Sequence, residues 1–247
     1  MAKANAGASV LGKLSLGNEL VLGALIAELV GTFILTFAVL NTMGNAIVAA
    51  LAVLVMVLVM SRVSGGHINP VVTVSLFATK QISLVKAVGY VIAQFLGAML
   101  AVVVATQFLA TSPATLDPYT QQAAQTPEIF KVPEMVGQWR PFFAEMLGAT
   151  LFSFGVAAAW FGRKEGADKA FTIGGALLLG LIVATSGSSG ILNPAVALAV
   201  GALDMSKSMW GVWAYLLAPV LGGALGATLY KLVQSDVMMG GTSKKKG

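Results

Sequence analysis

The sequence predicts an all-α membrane protein, with six transmembrane helices and two half-helices arranged as an inverted repeat. Three observations predict it. The 247 residues are 57% hydrophobic and only 10% charged, against roughly 25% charged for an ordinary globular domain, and the mean hydropathy is +0.86. The apolar residues fall into six runs of spanning length and two about half as long. The same short motifs recur in the same order in the two halves of the chain. With 15 Lys and Arg, 10 Asp and Glu and 1 His, the chain cannot clothe a sizeable water-facing domain, so 1–247 reads as one membrane domain. The absence of Cys excludes disulfides, thiol catalysis and cysteine-ligated clusters.

The first run, Val21 to Leu40, follows Lys3 and Lys13 and could pass for a signal peptide. At about 20 residues, with Glu28 inside it, it is too long for a signal core and reads as a retained span. Ala46 to Ser61 is the second span. Pro70 to Thr79 is a half-helix, because about 10 residues rising about 1.5 Å each reach only halfway across a core of about 30 Å. Leu84 to Leu109 is the third span and completes a first repeat, 20–110. Residues 111–138 contain Pro113, Pro118, Pro127 and Pro133 and read as an extended external loop. Phe142 to Phe161 and Ala170 to Thr185 follow as spans, then the half-helix Pro194 to Leu203 and the span Trp210 to Val233, within a second repeat, 139–235. Residues 236–247 form a basic tail.

Six spans put all but Lys131, Arg140 and Lys207 of the 15 basic residues on one side, which the positive-inside rule makes cytoplasmic, termini included. The Lys244 to Lys246 run reads as a solvated orienting tail, with lipid headgroups as the sharper alternative. Trp160, Trp210 and Trp213 lie near span ends and read as interfacial anchors.

The repeat carries the most information. Ala27-Glu28-Leu29-Val30-Gly31-Thr32-Phe33 returns as Ala144-Glu145-Met146-Leu147-Gly148-Ala149-Thr150, Ile68-Asn69-Pro70-Val71-Val72 as Leu192-Asn193-Pro194-Ala195-Val196, and Gln94-Phe95-Leu96-Gly97-Ala98 as Pro219-Val220-Leu221-Gly222-Gly223. Three spans per half is an odd number, so the second half must enter the membrane upside down. Folds of this kind place their site at the midplane, where the halves meet. Small residues four apart, Ala27/Gly31, Ala144/Gly148, Gly97/Ala101 and Gly222/Gly226, permit close helix packing.

Asn followed by Pro is a helix start. The Asn side chain accepts from the first free N–H groups, and Pro at the first helical position has no N–H to leave unpaired. Half-helices beginning at Asn69 and Asn193 would meet end to end near the bilayer centre, each end carrying about half a positive charge. Such ends repel cations, while the Asn amides offer donors to a neutral hydroxyl or water oxygen. The preceding Ser64-Gly65-Gly66-His67 and Ser186-Gly187-Ser188-Ser189-Gly190 can run irregularly, which is tolerated at membrane depth only beside a wet cavity.

On Ser64-Gly65-Gly66-His67-Ile68-Asn69-Pro70-Val71-Val72-Thr73, Asn193-Pro194-Ala195, Glu28 and Glu145, the chain resembles the aquaporin and aquaglyceroporin family over nearly its whole length. The resemblance implies passive passage of water or small uncharged solutes through each subunit of a homotetramer in the lipid bilayer. It implies no cofactor, no metal and no nucleic-acid partner. It makes Glu28 and Glu145 braces for the loops that carry the half-helices, with a proton relay as the rival role. His67 becomes a loop anchor; no second His exists for a metal site.

Departures from the family pattern shape the expected selectivity. Val71 replaces the family's Ala in the first motif, and Val196 stands where most members have the Arg of the outer constriction. Transferring the other constriction positions by distance from the two Asn gives Ala49, Leu181 and Gly190, with Ser189 an alternative to Gly190. The resulting ring is wide on two sides and apolar. It could pass glycerol-sized solutes, pass water with dissolved gases, or close by dewetting. Ala197 stands where glycerol channels typically have Asp, so water with small neutral solutes is the favoured reading.

A coupled transporter would need interior charges beyond Glu28 and Glu145. A non-conducting junction protein is the other rival, prompted by the missing Arg. An enzyme is not expected, because no nucleophile, metal cluster or acid–base pair is visible. Because the chain has no Cys, mercurial reagents are expected to leave solute flux unchanged; light scattering from proteoliposomes checks this, and inhibition reversed by a competing thiol would contradict it.

Overall fold

The computed structural model describes residues 20–110, 130, 132, 139–206 and 208–243, and these are helical apart from connecting turns. The basic residues Lys3, Lys13, Lys131, Lys207 and Lys244 to Lys246, and the prolines of the 111–138 loop, lie outside the described residues. The first half supplies α1 (Leu22–Asn41), α2 (Ala46–Met60), α3 (Pro70–Ala78) and α4 (Leu84–Ala110). The second supplies α5 (Arg140–Phe161), α6 (Gly166–Ala184) and α7 (Pro194–Ala199). A last helix follows in three consecutive pieces: α8 (Met209–Val212), a π-helical turn (Trp213–Leu217) and α9 (Ala218–Ser243).

Five helices, counting the last as one, are long and apolar enough to cross a membrane. The second expected span is shorter, because α2 has 15 residues. Its backbone pattern nevertheless continues: the N–H groups of Ser61, Ser64 and Gly65 bond the carbonyls of Val57, Met60 and Ser61. At its other end Asn45 accepts from the N–H groups of Ile47 and Val48 at 3.0 and 3.2 Å, which fixes the start of α2.

The half-helices have clear starts and stops. Asn69 and Asn193 are their N-caps, followed by Pro70 and Pro194. Helix α3 has 9 residues and ends where Lys80 turns left-handed. Helix α7 has only 6 and stops before the expected Leu203. Gly201 lies just past its end at a φ of 73°, and the Ala202 N–H returns to the Ala197 carbonyl, a closure that a left-handed glycine makes easy.

Packing joins the halves crosswise. Helix α1 packs on α4 and α2, and α5 packs on α9 and α6, so the two halves repeat one arrangement. Helix α2 crosses to α6, α3 packs mainly on α9, and α7 packs mainly on α4 and α1. Each half-helix is therefore held largely by the opposite half. Large apolar residues such as Ile26, Val55, Ile92, Leu147, Phe171 and Leu225 face outward, as a lipid-facing surface requires.

Glycines bring the paired helices together. A Cβ on Gly97 would lie 2.2 Å from the Leu29 carbonyl oxygen, and one on Gly222 would lie 2.2 Å from that of Met146. These are the same contact in the two halves, since Leu29 and Met146, like Gly97 and Gly222, are repeat partners. The obstacle is backbone in each case, so no side-chain rearrangement can relieve it. Gly222→Ala should force α9 away from α5 and cost about 1–3 kcal/mol or more, typical of overpacking. The check is thermal unfolding of the detergent-solubilised protein; an unchanged midpoint would show that the helices can separate freely.

Candidate functional site

Two buried carboxylates organise the centre of the molecule. Glu28 is inaccessible to solvent and accepts from the Ser64 hydroxyl at 2.6 Å, the His67 N–H at 2.9 Å, the Ile68 N–H at 2.6 Å and the Gln94 amide at 2.8 Å. Glu145 accepts from the Ser188 hydroxyl at 2.7 Å and from the N–H groups of Ile191 and Leu192 at 3.0 and 2.8 Å. The Ser hydroxyl and the two loop N–H groups match position by position, while Gln94 has no counterpart, Pro219 standing in its place. Both Ser hydroxyls also accept an N–H two residues on, from Gly66 and Gly190, each at 3.0 Å.

Each carboxylate thus supplies acceptors to backbone that is neither helix nor strand. Without them, several N–H groups would be buried and unpaired. They also hold strain. Ile68 and Leu192 have φ of 45° and 50°, a left-handed region that bulky side chains avoid at a cost of about 1–3 kcal/mol. In each case the N–H of the strained residue donates to the carboxylate.

That strain turns the next residue, Asn, inward. Asn69 accepts from the Val71 N–H at 2.8 Å, and Asn193 from those of Ala195 and Val196 at 3.0 and 3.3 Å. The side-chain amides then cross over. Asn69 donates to the Leu192 carbonyl at 3.0 Å, and Asn193 donates to the Ile68 carbonyl at 3.3 Å. A primary amide has two N–H donors, so each Asn retains one after this exchange.

A cavity opens beside the crossed pair. It is lined by both Asn and by Ala49, Leu181, Gly190 and Val196. All four residues transferred to the outer ring therefore share one cavity, and the lining includes Gly190 but not Ser189. Leu35, Val39, Leu177 and Ile191 extend its apolar wall. Val196 is 3% exposed and brings no donor from its side chain. Arg140, the one arginine near the entry to the second loop, donates to the Ser186 carbonyl and is not part of the lining.

The remaining sequence candidates have structural places as well. Pro70, Val71, Pro194 and Ala195 are buried in the first turns of α3 and α7. The extra methyls of Val71 are accommodated by Gly223, where a Cβ would lie 2.6 Å from Val71 Cγ1. His67 holds its loop through Nδ1, 3.1 Å from the Thr73 hydroxyl. Among the described residues no cluster of His, Asp and Glu could hold a metal ion.

Sequence reasoning missed Gln94, which donates to Glu28, and four further residues that complete the site. Tyr90, buried, donates its hydroxyl to the Ser64 carbonyl at 2.7 Å, and the hydroxyl of its repeat partner Tyr215 accepts from the Ser189 N–H at 3.2 Å. They could have been found as a further repeated pair, each four residues before Gln94 and Pro219. Trp160 does not simply anchor an interface: its ring meets His67 edge-on at 5.3 Å, and Lys169 Nζ sits 3.8 Å over its face. Phe130, from the long connecting segment, lines the cavity and is the one aromatic there among the described residues.

The Glu brackets generate a paired expectation. Glu→Gln keeps shape but replaces one acceptor oxygen with a donor, leaving a loop N–H unpaired at a cost of about 1–3 kcal/mol. At Glu28, Gln94 can turn its amide and restore one bond; the second half has Pro219 in that place. Glu145→Gln should therefore lower the thermal midpoint more than Glu28→Gln. Equal midpoints for both variants and the parent would deny the carboxylates their bracing role.

Comparison with known proteins places this geometry among relatives. A family model described as Major intrinsic protein matches residues 15–230. Nodulin-26 of Glycine max is 31% identical over 235 residues, covering 89% of this chain and 81% of that protein. The glycerol uptake facilitator protein-like 6 of Lactiplantibacillus plantarum is 30% identical over 220 residues, covering 85% and 98%. Aquaporin Z of Photorhabdus laumondii is 26% identical over 226 residues, covering 86% and 97%. The X-ray structure of the aquaglyceroporin from Plasmodium falciparum superposes with a TM-score of 0.61 at 21% identity, covering 83% of this chain and 93% of that one.

Proposed function

The chain belongs to the major intrinsic protein family, and we propose that the cavity beside Asn69 and Asn193 is the pore through which it passes water and small uncharged solutes. It is a membrane channel and not an enzyme. The observation that carries the pore reading is the crossed pair: two Asn amides from opposite halves, each keeping an N–H, at one apolar cavity. Among the described lining residues only these two carry side-chain donors, so a neutral oxygen moving along that wall exchanges hydrogen bonds with a fixed pair instead of losing them outright.

In this reading Ala49, Leu181, Gly190 and Val196 form the outer constriction. None of their side chains offers a hydrogen bond, so selection is by width and by the cost of stripping water. The relatives include both aquaporins and a glycerol uptake facilitator, and a ring without Arg suits water and compact polyols alike. The bias of basic residues supports cytoplasmic termini. The outward apolar face and the family support a homotetramer of separately conducting subunits. The two repeats, 20–110 and 139–235, form one channel domain, with 236–247, into which α9 continues as far as Ser243, as a tail.

Flux of water and glycerol into proteoliposomes of the full chain tests the reading, with empty liposomes as the baseline. Val196→Arg gives the sharpest contrast. A guanidinium adds donors and bulk at a place that has neither, so glycerol should lose clearance while water gains partners. Glycerol permeability should fall by about tenfold or more relative to water. A folded, tetrameric variant with both permeabilities unchanged would put Val196 outside the conducting path.

A further inference from the structure

The four-residue outer ring has no aromatic side chain, yet the cavity does. Phe130 comes from neither repeat; it belongs to the segment joining them, and it reaches the cavity because that segment is tied at two points. The Phe130 N–H donates to the Leu40 carbonyl at 3.2 Å, and the Val132 N–H donates to the Val200 carbonyl at 3.1 Å. Leu40 lies in the last turn of α1 and Val200 caps α7. Helix ends carry carbonyls without intrahelical partners, so these are free acceptors at fixed positions. Phe130 and Val132 both pack on the apolar core.

The ring has a prepared seat. Gly44, in the turn between α1 and α2, has φ of 72°, and a Cβ there would come within 2.8 Å of the Phe130 ring. Any other residue at position 44 would both strain the turn and displace the ring. Gly44 and Phe130 line the cavity together with Ala49 and Val196. The bulk that Ala49 and Val196 do not supply is thus brought in from outside the repeat.

Resting on the pore reading above, we propose that Phe130 is the size-determining side chain of the outer constriction. The ligand class it selects is a compact neutral solute: water and polyols of about glycerol size pass beside the ring, and bulkier ones are excluded by it. Phe130 is then part of the selectivity filter, and the two backbone hydrogen bonds of Phe130 and Val132 set the width.

The test uses the full chain in proteoliposomes, with water, glycerol and erythritol as probes. Phe130→Ala should raise erythritol permeability relative to water by about tenfold, the scale on which a pocket discriminates by one or two carbon groups. Phe130→Trp should lower the glycerol-to-water ratio. Val132→Pro removes the donor to Val200 while leaving the ring intact, and should move the ratio in the same direction as Phe130→Ala by a smaller factor. Should Phe130→Ala not fold, Phe130→Leu and Phe130→Trp bracket the parent and read the same axis. A parent protein that conducts while all folded variants keep its solute ratios would overturn this proposal and leave the pore reading standing. A parent with no flux above empty liposomes would overturn both.

Discussion

Everything at the centre of this molecule depends on two carboxylates without counter-charges. A membrane interior offers no water to irregular backbone, so a chain that leaves the helix at that depth must bring its own acceptors. Glu28 and Glu145 do this by gathering the N–H groups of the two loops onto paired oxygens. The left-handed turns at Ile68 and Leu192, the caps at Asn69 and Asn193 and the inward course of both half-helices follow from that anchoring. A carboxyl group in an apolar core is costly to bury. The hydrogen bonds that each Glu collects, from backbone and side chains alike, offset that cost while fixing geometry.

The sequence disclosed most of this frame because its causes are local. Asn before Pro specifies a helix start, a Glu within an apolar run demands partners, and the recurrence of both specifies two equivalent units. The cavity residues Ala49, Leu181, Gly190 and Val196 were reachable by counting from the two Asn, because rigid helices preserve spacing. Tyr90 and Tyr215 were legible in principle as a repeated pair, although a lone Tyr in a span has many ordinary explanations.

Other features depend on tertiary meetings that no local pattern encodes. Gln94 supports Glu28 but has Pro219 as its counterpart, so the repeat conceals the role instead of announcing it. Trp160 lies at a helix end, where an interfacial ring is the usual expectation, and only packing against His67 reveals its inward contact. Phe130 sits in a polar, proline-rich stretch that reads as loop. Its place rests on carbonyls at the ends of two distant helices. The early stop of α7 came from Gly201, whose turn outweighed the apolar residues beyond it.

The crossed amides also constrain how the protein is made. Asn69 donates to a carbonyl of residue 192, and Asn193 to one of residue 68. During synthesis the first loop can gather on Glu28 as soon as α4 is in place, but its Asn then faces a position the ribosome has not yet delivered. Helix α3 is likewise packed mainly on α9, which follows both loops in the chain. The first half must wait in the bilayer with a midplane amide unmatched and a half-helix without its main neighbour. The central site can be completed only once the second loop and α9 are in place, and a chain truncated before α9 loses a neighbour of both α3 and α5.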